Sequence, residues 1–129
     1  MISGERGKKM ILKEIIETLH LELRGKVNKI DNEINKGYSS DLLSDVIANS
    51  TEGDLWITLQ IHPNIVAVAS MKGLSGIVII NGREPEEETI KKAEEENIPI
   101  MVSKLPAFEL IGKLYTMGIS GIRNNVDGI

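Results

Sequence analysis

The sequence predicts an α/β fold, a single layered α/β/α domain with a mostly parallel sheet. Three observations carry that prediction. A strand, a short polar turn and a helix-compatible segment recur three times in the second half of the chain. A proline, Pro63, Pro85 or Pro106, heads each of the three helical segments, where a missing N–H and a fixed φ are tolerated. The run Ile77-Val78-Ile79-Ile80 is apolar on both sides, as a central parallel strand must be when helices cover both faces. At 129 residues, 41% of them hydrophobic and 26% charged, the chain has the size and composition of one domain with a substantial core.

Taken in order, residues 1–9 lack periodicity and are expected to be a flexible leader, 10–119 to form the domain, and 120–129 to be a C-terminal tail or an added edge strand. Ile11, Leu12, Ile15, Ile16 and Leu19 recur at helical spacing and predict a core-facing helix ending at His20. Residues 21–34 alternate weakly around Gly25 and read as short strands with a turn. In the run from Gly37 to Val46, Ser39 or Ser40 is a natural N-cap and Asp41 suits the positive end of a helix. Leu42, Leu43, Val46 and Ile47 would then form its buried face. On that helix Ser40 would stack over Ser44 and Asp41 over Asp45, which leaves open a ligand or partner role for these four beside the plainer capping role. Strands are expected over 55–61, 77–80 and 100–102, and helices over 64–72, 86–96 and 107–117. Gly73, Asn97 and Gly118 supply left-handed ends. Met71, Leu74, Phe108 and Tyr115 fit core positions on those helices, or alternatively a surface for self-association.

Composition narrows the function. A net charge of −4, with Lys and Arg interleaved among Glu, provides no basic field for nucleic acid. The absence of cysteine removes disulfides, thiolate catalysis and cysteine-ligated zinc, and it suits a cytoplasmic setting. The longest apolar runs are far short of a membrane span, so no membrane association is expected. No metal and no cofactor is called for.

In open α/β sheets ligands gather at the carboxyl ends of parallel strands. Those ends carry Gln60, His62 and Asn64, then Asn81, Gly82 and Arg83, then Ser103 and Lys104. Arg83 and Lys104 supply positive charge for an anion, and Gly82 lets a ligand approach the backbone. The alternative, favoured residue by residue, is that Asn81-Gly82 is turn chemistry, that Arg83 and Lys104 are solvated, and that His62 is a turn residue before Pro63. Neither histidine has an assignable partner in sequence, so no catalytic base is identified.

Four blocks of the chain resemble the DRTGG domain. They are Gly37-Tyr38-Ser39-Ser40-Asp41-Leu42-Leu43-Ser44-Asp45-Val46, Gly53-Asp54-Leu55-Trp56-Ile57-Thr58, His62-Pro63-Asn64-Ile65-Val66-Ala67-Val68-Ala69 and Asn81-Gly82-Arg83-Glu84-Pro85. At the name-giving motif the chain reads Asp31-Asn32-Glu33-Ile34-Asn35-Lys36-Gly37 and keeps Asp31 and Gly37. The DRTGG domain occurs alone or beside CBS domains in regulated enzymes. It is similar to the N-terminal domain of HPr kinase/phosphorylase and, more distantly, to the first domain of Mur ligases. The resemblance implies the same layered α/β fold and a regulatory or assembly role. It does not imply kinase activity, since neither Gly25-Lys26 nor Gly112-Lys113 sits in a phosphate-cradling loop.

The expectation is therefore a non-catalytic regulatory module, a homodimer, binding a small anionic metabolite or nucleotide. Its candidate site residues are Tyr38, Ser40, Asp41, Ser44, Asp45, His62, Asn64, Asn81, Gly82, Arg83, Ser103 and Lys104. A pure interaction module tethering a partner enzyme is the alternative, and a small enzyme using Asp41, Asp45 and His62 is the third.

Overall fold

Glu14 reaches back with Oε1 to the backbone N–H of Ile11 at 3.2 Å, closing the first turn of the helix that opens the domain. In this computed structural model, which describes residues 9–122, that helix is α1 (Leu12–Leu19), and it ends at His20 in the left-handed region, φ 55°. The chain continues through β1 (Glu22–Arg24), β2 (Gly37–Ser39), α2 (Leu43–Asn49), β3 (Leu55–Thr58) and α3 (Asn64–Lys72). It then runs through β4 (Gly76–Ile79), α4 (Glu87–Glu96), β5 (Ile100–Val102) and α5 (Ala107–Thr116). No helix among the described residues is long and apolar enough to cross a membrane.

The five strands form one sheet in the order β1-β5-β4-β3-β2. From β2 to β5 the chain steps one strand at a time, with parallel pairing throughout; only β1, antiparallel to β5, departs from it. Crossovers of one hand advancing in one direction put their helices on one face. Accordingly Val46 of α2, Ile65 and Ala69 of α3 and Ala93 of α4 share a buried cluster with Trp56, Ile77, Ile79 and Ile100. The opposite face is covered by Leu12 and Ile15 of α1 and Leu110 and Leu114 of α5, packed on Leu55, Ile57, Val78 and Met101. Odd and even residues of each strand thus feed separate cores, which gives the expected three layers.

Several local expectations are corrected. Gly37-Tyr38-Ser39 is a strand, not the approach to a helix, and α2 starts at Leu43 with Leu42 as its N-cap residue. Leu42 is 65% exposed and Ile47 40% exposed, so of the predicted apolar face Val46 is the residue fully buried. Because Ser40 and Asp41 precede the helix, neither stacks on Ser44 or Asp45. After Gly25, which has φ 82°, there is no second strand but an extended crossing with one bridge, Ile11 to Glu33. Strand β3 stops at Thr58 rather than 61 because the carboxylate of Asp41 takes the N–H of Leu59. The prolines sit one or two places before the first helical residue, Pro63 and Pro106 as N-cap residues and Pro85 ahead of Glu86. Leu74 is buried, whereas Met71, Phe108 and Tyr115 are exposed and not core.

The expected leader and tail lie largely outside the described residues. Within them, Lys9 Nζ donates to Asn35 Oδ1 at 2.8 Å, and the N–H of Gly37 donates to Ser120 O at 2.9 Å on the outer side of β2.

Candidate functional site

Parallel pairing of β3, β4 and β5 carries their three following loops to one border of the sheet. The loops are tied together there by backbone and side chain. The N–H of Gly82 donates to Ser103 O at 2.8 Å and that of Asn81 to Leu105 O at 2.9 Å. Arg83 Nη1 donates to Leu59 O at 2.6 Å. Asn81 and Gly82 both have positive φ, 60° and 65°, which turns the chain sharply enough for these contacts. A Cβ at Gly82 would meet nothing within 4 Å, so the border is open above it.

Asp41 buckles the segment before α2 onto this border. Its Oδ1 accepts from Thr58 Oγ1 at 2.9 Å and from the N–H of Leu59 at 2.7 Å, while Gln60 Nε2 donates to its carbonyl at 2.8 Å. Trp56 Nε1 donates to Ser40 O at 2.8 Å, locking the same segment from below. His62 Nδ1 pairs with Glu86 Oε2, and the N–H of Glu86 and the hydroxyl of Thr89 both donate to Ile61 O. Asn64 is the first, exposed residue of α3. These polar groups hold the loops in place through Asp41 Oδ1, the Ser40 carbonyl and His62 Nδ1, while the His62 side chain stays 58% exposed.

Tyr38 and Asp45 form a separate group. Tyr38 OH donates to Asp45 Oδ2 at 2.8 Å and Asn49 Nδ2 to Oδ1 at 2.9 Å. Hydrogen bonds from Ser40, Tyr38 and Asn49 hold the Asp45 carboxyl below its ordinary pKa, and burial together with Asp45 pushes the Tyr38 phenol up. Ser44 is exposed on α2. The twelve candidate residues thus divide among the α2 side, the central border and the β5 end.

At the β5 end the border opens into a cleft of about 490 Å³ between α1 and α5. Lys104, Lys113 and His20 supply its basic groups, and Leu19, Val102 and Leu105 its apolar walls. Thr18 and Ser103 place hydroxyls there, Ser103 Oγ already accepting from the N–H of Leu105 at 3.1 Å. The one acidic lining residue, Glu22, lies 2.9 Å from Arg24, whose guanidinium it shares with Glu84, so part of its negative charge remains at the cleft. Among the described residues no group of three histidine or acidic side chains converges on a metal position. Sequence reasoning reached Ser103 and Lys104 but not Thr18 or Lys113, because residues 18–22, 102–105 and 113 meet only through the pairing of β1 with β5 and the packing of α5 beside α1.

No family model matches the chain, and no curated protein matches it. Among solved structures it is similar to the CBS and DRTGG domains of the regulatory region of Clostridium perfringens pyrophosphatase, complexed with activator, diadenosine tetraphosphate. The TM-score is 0.67 and the identity 19%, over 92% of this chain and 55% of that one. The chain therefore shares its α/β fold with part of that region, and it spans about half the length of that neighbour.

Proposed function

We propose that residues 10–119 are a non-catalytic, cytoplasmic regulatory module that self-associates and takes a small anionic ligand, a nucleotide or phosphorylated metabolite, at the β5 end of the sheet border. The observation that carries the reading is the convergence of Lys104, Lys113 and His20 around apolar walls in a cleft of about 490 Å³, in the size range of small-ligand sites. The ammonium groups would neutralise phosphate while Leu19, Val102 and Leu105 pack against the body of the ligand. The similar pyrophosphatase region was solved with a nucleotide activator, which supports the ligand class. Arg83 stands apart from this cleft and is committed to Leu59 O.

Calorimetric titration with ATP, ADP, diadenosine tetraphosphate and inorganic phosphate tests it. Binding by at least one organic phosphate, weakened about tenfold or more by Lys104→Ala or Lys113→Ala and little by Arg83→Ala, is the expected result. No heat with any of them overturns the ligand reading, and a dominant effect of Arg83→Ala moves the seat to the central border.

A further inference from the structure

The outward face of α5 combines three features that the fold itself does not need. Phe108 is 89% exposed and Tyr115 61% exposed, and with Ile111 and Gly112 they form one stripe at positions i, i+3, i+4 and i+7. Leu110 and Leu114, 0% and 2% exposed, hold the opposite side of the helix in the core. Gly112 is the only glycine inside a helix among the described residues, an unfavourable choice relative to alanine. Its φ is not positive and a Cβ there would meet nothing within 4 Å, so neither backbone conformation nor internal packing calls for it. Glu109 and Lys113, one turn apart on the same flank of the stripe, have no ion-pair partner among the described residues.

We infer that this face binds a second copy of the chain through an antiparallel α5–α5 pairing about a two-fold axis near Ile111. The inference rests on the self-association part of the reading above; Lys113 also lines the ligand cleft, so association is measured in the absence of ligand. In an isologous pair the same flank meets itself in reversed order, so Glu109 of one copy faces Lys113 of the other, twice per interface. The two-fold places Gly112 beside the crossing point, where the missing side chain lets the helix backbones approach. Phe108 and Tyr115 then supply the buried aromatic anchors that interface centres favour. A single ten-residue helix face is smaller than a standard interface of about 800 Å² per partner, so the dimer is expected to be concentration-dependent.

Sedimentation velocity of the full chain over a concentration series into the high micromolar range is the test. The wild type is expected to pass from monomer to dimer, and Phe108→Glu to remain monomeric. Gly112→Leu, which improves helix propensity and leaves folding intact, is expected to weaken association about tenfold or more. Glu109→Lys and Lys113→Glu should each weaken it about tenfold, and the double exchange should restore it to within about threefold. A wild type that stays monomeric overturns both this face and self-association. A dimer indifferent to Gly112→Leu and Phe108→Glu, or a double exchange that fails to restore pairing, overturns the face alone.

Discussion

Lys36 Nζ lies 2.6 Å from Asp54 Oδ2, with the Asp54 side chain fully buried and that of Lys36 9% exposed. The pair sits just before the starts of β2 and β3, at the border opposite the cleft. Asp54 also accepts from the N–H of Thr51 at 2.8 Å and its hydroxyl at 3.1 Å, and the ammonium lies 5.3 Å from the Tyr38 ring centroid. A buried pair of this kind gains specificity of register more than net stability, because desolvation offsets most of the attraction.

Removing one partner should therefore be far worse than removing both. Asp54→Ala leaves an uncompensated ammonium and is expected to cost about 3–5 kcal/mol, whereas Lys36→Met with Asp54→Leu should recover most of that loss. Urea denaturation of the single and double variants reads the difference.

Asp41→Ala frees the hydroxyl of Thr58, which is 1% exposed, and the N–H of Leu59. Leaving such groups unsatisfied costs about 1–3 kcal/mol. Since Asp41 braces the loop after β3 and does not line the cleft, thermal unfolding should shift while affinity at the cleft changes little.

Asp45 ties stability to acid. Its folded pKa lies below its unfolded value, so its contribution is present above the unfolded pKa of about 4 and is lost as pH falls through the folded one. Asp45→Asn should flatten the acid limb of stability against pH below that value and leave the neutral region nearly level, as followed by circular dichroism.

Gly53 has φ 85°, and a Cβ there would stand 2.3 Å from Asn35 Nδ2. Asn35 in turn donates to Glu52 O at 2.7 Å, so it cannot swing aside without losing that bond. Gly53→Ala is expected to cost about 1–3 kcal/mol, and Asn35→Ala in the same background should recover part of it by relieving the clash but not the backbone strain.

The sequence by itself determined the repeating units of the sheet. Continuous apolar runs at 77–80 and 100–102, helix ends at Gly73 and Asn97, and prolines before the last three helices are local signals, readable because neighbouring residues generate them. They sufficed for the α/β layering and for the shared border of the three loops. Where local and distant forces competed, local reading failed: Ser39 and Asp41 look like helix-start chemistry, yet pairing with β3 drew residues 37–39 into the sheet and Thr58 drew Asp41 away from α2. The antiparallel docking of β1 on β5, the cleft gathered from Thr18, His20, Lys104 and Lys113, and the exposure of Phe108 were decided by tertiary structure alone. Each depends on which face of an amphipathic segment meets which partner across tens of residues, and that choice is made by the packing of the whole chain.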